Sequence, residues 1–445
     1  MGFVFHCPRS ETAWHQPTCI AQPDSAQDVQ TLVKAVVGAG VPFAIRSGGH
    51  DPAPFDASIS TGVLISMSQL NNITYDATNN VVSIGPGARW GAVYSLLDSY
   101  NVTAVGGRVM DVGVGGFYLG GGLSYLTDLY GMACDNVQSF EVVLANGSLV
   151  DACATSHSDL FWALKGGANN FGIVTKFTVS TYPIKQGWGG LRGYTYDQLP
   201  KVLAALDAYQ TKPDKDLYAN LIIDVAAANQ TEYGVLVTFI YLKPVANPAA
   251  YAPFYNITPV IDETGFATLY GLMADFPSPP LPPRHNWYAT SFEPSPTVFA
   301  GLAALLSTNG SGAAPEVAAL GGVEAGSLVV TVQPIAAHVA GVGGNNALGL
   351  RNVTQTWIAL DMSWDKAADD GIVNKALEGL LGRVQNLTVE NGVALEYVFM
   401  NDASWDQGVI ASYGKTSVDR LRDVQRVYDP CLVFQKLVPG GQKIP

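Results

Sequence analysis

Two glycine-dense turns within the first 125 residues limit what this chain can fold into. The first is Arg46-Ser47-Gly48-Gly49-His50, after an apolar run at 41–45. The second is Val112-Gly113-Val114-Gly115-Gly116-Phe117-Tyr118-Leu119-Gly120-Gly121-Gly122. Glycine tolerates positive φ and lets backbone N–H groups come close to an anion. Two such turns can grip a diphosphate from both sides. Neither has the G-x-G-x-x-G spacing, and Gly85-Pro86-Gly87 misses it because its third glycine falls one residue late, at Gly91. The phosphate-loop pattern GxxxxGK[ST] is absent as well. Taken singly, each turn is explained equally well by tight packing. Together they favour a nucleotide cofactor, whose identity the spacing leaves open.

The flanking sequence reads as an α/β unit. Ser25 can cap a helix whose apolar positions Val29, Leu32, Val33 and Val36 follow helical spacing. Strands are expected at 41–45, 63–67, 81–84, 140–144 and 172–179, with helices at 89–100 and 160–164. Beyond Tyr182 the texture changes to longer alternating runs at 217–225, 234–242, 327–333, 354–364 and 393–400. That alternation predicts an antiparallel sheet with one covered face, and helices at 199–209 and 298–306 are expected to cover it. The prolines of 277–283 predict an exposed loop, and 418–427 a closing helix.

A chain of 445 residues with 48% hydrophobic and 14% charged residues has enough apolar material for more than one core. Its net charge of -13 disfavours nucleic acid and anionic membranes as partners. No apolar run is long enough to span a bilayer. The five cysteines, Cys7, Cys19, Cys134, Cys153 and Cys431, form no CxxC pair, and the six histidines form no HExxH, so no metal site is expected. Sequons begin at Asn72, Asn101, Asn146, Asn229, Asn256, Asn309, Asn352 and Asn386, which points to a glycosylated protein of the secretory pathway. The opening residues carry no basic region and no proper apolar core. The expectation is therefore a secreted protein whose true N-terminus precedes this sequence, or an intracellular one.

From about Trp14 onward the chain resembles the berberine-bridge-enzyme-like branch of the FAD-linked oxidases, which have the vanillyl-alcohol-oxidase or PCMH-type fold. It is most similar to the fungal members. The resemblance rests on the two glycine turns, on Ala133-Cys134-Asp135-Asn136-Val137, and on Asp159-Leu160-Phe161-Trp162-Ala163-Leu164-Lys165-Gly166-Gly167. It rests further on Asn170-Phe171-Gly172-Ile173-Val174-Thr175 and the closing Tyr428-Asp429-Pro430. It implies an α+β protein. A PCMH-type FAD-binding domain (1–185) would be completed by a C-terminal segment (401–445). A substrate domain (186–400) would have an antiparallel sheet, flanked by helices, that roofs the flavin ring.

It also implies a site. His50 corresponds to the histidine that bonds the 8α-methyl carbon of FAD. Arg46, Ser47, Gly48, Gly49, Val112, Gly113, Gly115, Gly116, Gly120, Gly121, Gly122, Gly172, Ile173 and Val174 correspond to cofactor-binding positions. A second link, from a cysteine, would fall at Val109, so a single covalent link is expected. Val112 corresponds to the position where a small residue admits oxygen. Gln333 stands where plant members place a glutamate, and glutamine cannot act as a base. Tyr413 is the leading candidate base, Asp402 the second, and Asn401 corresponds to an asparagine beside the flavin. The implied activity is oxidation of a small molecule, a secondary metabolite, by a monomer that uses O2 and releases H2O2. A carbohydrate oxidase and a redox-neutral cyclase or isomerase remain alternatives.

Overall fold

The computed structural model describes residues 9–228, 234–274, 282–307, 312–342 and 344–445. The prolines of 277–281, together with Cys7, Asn229 and Asn309, lie outside them. The chain divides into two compact units: 1–183 with 343–350 and 405–445, and 184–342 with 351–404. Among the described residues no helix is long and apolar enough to cross a membrane.

The first unit carries strands β1 (Cys19–Ala21), β2 (Phe43–Arg46), β3 (Val63–Ser66), β4 (Ile73–Asp76), β5 (Val81–Ile84), β6 (Thr103–Ala104), β7 (Val137–Val143), β8 (Leu149–Cys153) and β9 (Ile173–Tyr182). β1, β3 and β2 pair in parallel in that order. β4-β5-β9-β7-β8 form an antiparallel sheet, with β6 also on β9. The helix Ala26–Gly38 starts where Ser25 Oγ accepts the N–H of Asp28 at 3.2 Å while the Asp28 carboxylate accepts the Ser25 hydroxyl at 2.8 Å. Such a cap contributes about 1 kcal/mol. Val29, Val33 and Val36 bury against Phe43, Ile65, Val143, Ile173 and Phe434.

Phe434 comes from the C-terminal segment, and polar bonds seat it. The buried Asp429 carboxylate accepts the N–H groups of Val433 and Phe434, both at 2.8 Å, and so starts the short helix Val433–Lys436. The N–H of Phe43 then donates to the Leu437 carbonyl at 2.8 Å. The piece 344–350 also belongs here: Asn346 Nδ2 donates to Asp135 at 2.8 Å and the Ala347 N–H to the Lys165 carbonyl at 2.9 Å.

The second unit is built on β10 (Gly187–Tyr194), β11 (Ala219–Ala228), β12 (Val235–Tyr241), β13 (Ile261–Asp262), β14 (Gly265–Ala267), β15 (Arg284–Phe292), β16 (Ser327–Ile335), β17 (Gln355–Trp364) and β18 (Ala394–Leu395). They form one antiparallel sheet in the order β13-β10-β12-β11-β16-β17-β15-β18, with β14 on β10. Leu221, Ile223 and Val225, Val235, Val237 and Phe239, Leu328, Val330 and Val332, and Ile358, Leu360 and Met362 point to one face. There they meet the helices Leu199–Gln210, Pro296–Leu306, Pro315–Gly321 and Asp370–Glu390. Strand side chains alternate, so Ile222, Asp224, Thr331, Gln333, Trp357, Ala359, Asp361, Trp287 and Ala289 lie on the opposite face.

One expected strand is corrected. Of residues 393–400 only Ala394–Leu395 pairs, with β15. The chain then leaves the sheet, and its aromatic side chains pack on Trp357. The Tyr397 and Phe399 rings pack on Trp357, with centroids 5.1 and 4.8 Å away, and Ser291 Oγ donates to the Tyr397 carbonyl at 2.5 Å. Strands β10 and β15 and the helix Asp370–Glu390 were not expected from the pattern.

Candidate functional site

The two glycine turns meet within the first unit. β2 ends at Arg46, whose side chain is buried, and Ser47-Gly48-Gly49-His50 follows, with Gly49 at φ +65°. The second turn presses against it. A Cβ on Gly48 would lie 2.5 Å from Gly113 Cα, and one on Gly113 would lie 2.4 Å from Gly48 N. Ser47 Oγ accepts the N–H of Gly115 at 3.1 Å and donates to the Pro86 carbonyl at 2.5 Å. Arg89 fastens both turns, donating to the Gly48 carbonyl at 2.8 Å and to the Asp111 carbonyl, and pairing with the Asp111 carboxylate at 3.0 Å. The N–H groups of Trp90 and Val114 bond Val112 and Ala88 carbonyls. Gly85-Pro86-Gly87, which fails as a phosphate fingerprint, is thus the buttress of the other two turns. Arg89 carries no motif of its own and was missed.

On the outer side of this cradle Gly116 is exposed, and a Cβ there would meet nothing within 4 Å. Val112 and His50 are half-buried at its rim, and Val109 is exposed. Gly116 is thus exposed backbone with open space around it, in the turn that packs on the one ending in His50. The paired turns fit a dinucleotide such as FAD, which Gly49, His50, Val112, Gly113, Gly115 and Gly116 would hold.

Other expected cofactor residues are spent on structure. The N–H of Gly120 bonds the Gly116 carbonyl and that of Gly121 the Tyr118 carbonyl, just as the N–H of Gly115 bonds Ser47 Oγ and that of Val112 the Val109 carbonyl. Gly122 packs so tightly that a Cβ would sit 2.6 Å from the Phe117 ring. A Cβ on Gly172 would meet Val142 at 2.6 Å. Ile173 belongs to the apolar core and Val174 is buried in register with Val142.

The expected base, Tyr413, lies in a buried setting. Tyr413 is 3% exposed, and its hydroxyl donates to the Gly166 carbonyl at 3.1 Å. Burial pushes its pKa well above the ordinary phenol value. A buried phenol already donating to a carbonyl is held neutral, so Tyr413 is placed as a structural tie between the C-terminal segment and the loop at Gly166.

In the second unit the structure joins Gln333 and Asp402. Gln333 Nε2 donates to the Asp402 carboxylate at 2.8 Å. Asn401 and Asp402 lie half-buried in the turn Met400–Asp402. Gln333 cannot be a base; its amide orients the Asp402 carboxylate. Gln333 shares the sheet face opposite the helices with Trp357, its register partner on β17, and with Asp224, which accepts the Thr331 hydroxyl at 2.6 Å. Asp361 and His285 approach each other further along this face, at 3.9 Å. Trp357 and Asp224 carried no sequence signal beyond strand alternation.

A second missed cluster adjoins His50. Asp51 accepts the Ala53 N–H at 2.8 Å, and Asp56 accepts the Gly441 N–H at 2.7 Å. Lys443 donates to Asn169 at 3.1 Å and to the Phe434 carbonyl at 2.9 Å. Burial raises both carboxyl pKa values, that of Asp51 strongly with added repulsion from Asp56, and lowers Lys443 to about 8.

Interlocked glycine turns, a histidine at their rim and a separate antiparallel sheet with an oriented carboxylate define an FAD-linked oxidoreductase of PCMH-type fold. The comparisons agree. An FAD binding domain matches residues 17–152. The chain is 37% identical over 441 residues to an FAD-dependent monooxygenase of Arthrobotrys oligospora, covering 97% of this chain and 83% of that one. It is 34% identical over 444 residues to the bifunctional solanapyrone synthase of Alternaria solani, covering 98% and 83%. Among solved structures it is similar to 6-hydroxy-D-nicotine oxidase from Arthrobacter nicotinovorans, with TM-score 0.79, 22% identity, and 97% and 93% covered. It is equally similar to the glucooligosaccharide oxidase from Acremonium strictum with 6-S-cysteinyl, 8α-N1-histidyl FAD, with TM-score 0.79, 19% identity, and 99% and 94% covered. The chain belongs to the family of fungal FAD-dependent monooxygenases and has the fold of the berberine-bridge-enzyme-like and oligosaccharide oxidases.

Proposed function

We propose that this protein is an FAD-dependent oxidase of a small secondary metabolite, with FAD held by a single bond through His50. The observation that carries the reading is the interlock of the two glycine turns at Gly48 and Gly113, which leaves Gly116 exposed with open space around it and His50 at the end of the first turn. The similarity to fungal enzymes such as solanapyrone synthase supports the substrate class. When bound, FAD supplies a two-electron acceptor for hydride and a donor of those electrons to oxygen.

The chain's own residues do the rest. Asp402, oriented by Gln333, takes the proton from the substrate oxygen or nitrogen as hydride leaves the adjoining carbon. Trp357, buried against Tyr397 and Phe399, stiffens the sheet next to Gln333. The six described sequon asparagines, Asn72, Asn101, Asn146, Asn256, Asn352 and Asn386, are all exposed, which supports passage through the secretory pathway.

A monooxygenase is the second reading, because the curated relatives bear that name. Both readings share the reductive step and differ in the fate of oxygen. The test is turnover of phenolic, alcohol and amine metabolites under labelled O2. An oxidase releases one H2O2 per substrate and leaves the product unlabelled. Label in the product without peroxide would establish the monooxygenase instead, and turnover of oligosaccharides alone would overturn the substrate class.

A further inference from the structure

We propose that Arg9 is the positioning residue for the histidine that anchors the flavin, an inference that rests on the reading of His50 as that anchor. Arg9 Nη1 lies 2.6 Å from His50 Nε2. A guanidinium has donors only, so Nε2 accepts, and the hydrogen of the neutral ring sits on Nδ1.

The contact is part of a docked segment. The Arg9 N–H donates to the Gly49 carbonyl at 2.8 Å, and Thr12 Oγ1 donates to the Pro52 carbonyl at 2.6 Å. Ser10 and Ala13 between and beside them are fully buried. Residues 9–13 therefore clasp the turn 49–52 on either side of His50, and the guanidinium fixes the ring's rotation about its last bond.

This arrangement has a chemical consequence. Joining the ring to the flavin methyl carbon removes one hydrogen from that carbon and one from the ring nitrogen. Both, with their two electrons, pass to the flavin, and molecular oxygen carries them off as hydrogen peroxide. Nδ1 carries the ring hydrogen and bonds the carbon only as that proton leaves to the flavin being reduced, while Nε2, the nitrogen with a ready lone pair, is withheld as nucleophile by its bond from Arg9. Nε2 keeps its lone pair throughout, so the bond from Arg9 survives the reaction unchanged. Arg9 thus selects Nδ1 as the linking atom and holds the ring still while the bond forms.

The experiment compares full-length wild type, Arg9→Ala and Thr12→Val after purification. The readouts are the mass of the denatured polypeptide with and without flavin, and the linked nitrogen in the isolated flavin peptide by NMR. Arg9→Ala should lower the fraction of chains with bonded flavin about tenfold, the size of effect that outer partners of anchored histidines have at metal sites. Thr12→Val weakens the same clasp without touching the ring and should attach flavin normally. Normal attachment in Arg9→Ala, equal loss in both variants, or linkage through Nε2 overturns the role of Arg9. Wild type that releases all its flavin on denaturation overturns the reading of His50 itself, and Arg9 falls with it.

Discussion

Gly48 and Gly113 occupy each other's side-chain space: a Cβ on either would lie within 2.5 Å of the other's backbone. Two segments 65 positions apart are thereby welded into one surface, so the cofactor cradle is a property of the pair. Neither glycine needs an unusual φ to do this, because only Gly49 of the first turn is in the left-handed region.

Gly48→Ala should therefore damage the fold and the cofactor site together. The methyl group has only backbone to displace, and overpacking of this kind costs about 1–3 kcal/mol. Gly116→Ala is the contrast, since open space surrounds that position. Thermal melting should fall for Gly48→Ala and stay at wild type for Gly116→Ala. Flavin content should fall in both if the cofactor lies on the exposed side of the cradle. Full flavin content in Gly116→Ala would move the cofactor off that surface.

The carboxyl pair beside His50 gives a pH prediction. Burial raises the pKa of Asp51 well above its ordinary 3.8, so over the interval above that value the folded chain binds more protons than the unfolded one. Stability contributed by this group is present at low pH and is lost as pH rises through the raised value. Asp51→Asn keeps the neutral form at every pH. Its melting temperature relative to wild type should rise steadily from pH 4 to pH 7. Lys443 acts oppositely at higher pH. Its folded pKa of about 8 lies below the ordinary 10.5, so the unfolded chain binds more protons there and stability is regained between those values. A flat difference between Asp51→Asn and wild type from pH 4 to 7 would show the pair to be solvated.

Tyr413→Phe should behave as a structural variant. It deletes a hydroxyl that donates to the Gly166 carbonyl and leaves that oxygen without this donor, at a cost of roughly 0.5–1.5 kcal/mol. Melting temperature should drop, while anaerobic reduction of the flavin by substrate stays within about twofold of wild type and keeps its pH profile, because a group that transfers no proton adds no general-base factor. A hundredfold loss in that step with unchanged melting would restore Tyr413 as the base.

The legible parts of this protein were those written in contiguous residues. The glycine turns, the Ser25 cap with its valines and the long strands β11, β12, β16 and β17 could be read because periodicity and turn chemistry are local. Strand β10 could not, since Gly187, Gly189, Gly190 and Gly193 remove its apolar pattern; a Cβ on Gly189 would sit 2.1 Å from the Phe239 carbonyl, so the glycine serves close packing. The helix Asp370–Glu390 buries Val373, Leu377, Leu380 and Val384 at helical spacing, a signal that was present and not taken up. The site was less legible than the fold. Arg9 with His50, Asp56 with Gly441, Gln333 with Asp402 and Tyr413 with Gly166 are separated by 41, 385, 69 and 247 positions. Nothing local distinguishes Tyr413 as a buried tie from Tyr413 as a base, whereas its partner and burial decide it.

Asp402 is the base in the proposed reaction. Its carboxylate is held by the Gln333 amide at 2.8 Å, so it points in one direction. Asp402→Asn preserves shape and can still accept from Gln333, so folding and flavin content should stay at wild type. Removing a general base costs about a hundredfold or more in rate. The loss should appear in anaerobic stopped-flow reduction and leave reoxidation by oxygen unchanged, because no substrate proton moves in that half of the cycle. It should shrink as pH rises, since a substrate that ionises by itself needs no base. Gln333→Leu keeps the carboxylate but frees it to turn away, and should slow the same step by roughly tenfold, a fraction of the full general-base effect. If reduction by Asp402→Asn matched wild type across pH, the proton would have to leave by another group of the same sheet face, and Asp224, on the strand beside that of Gln333, would be the next to test.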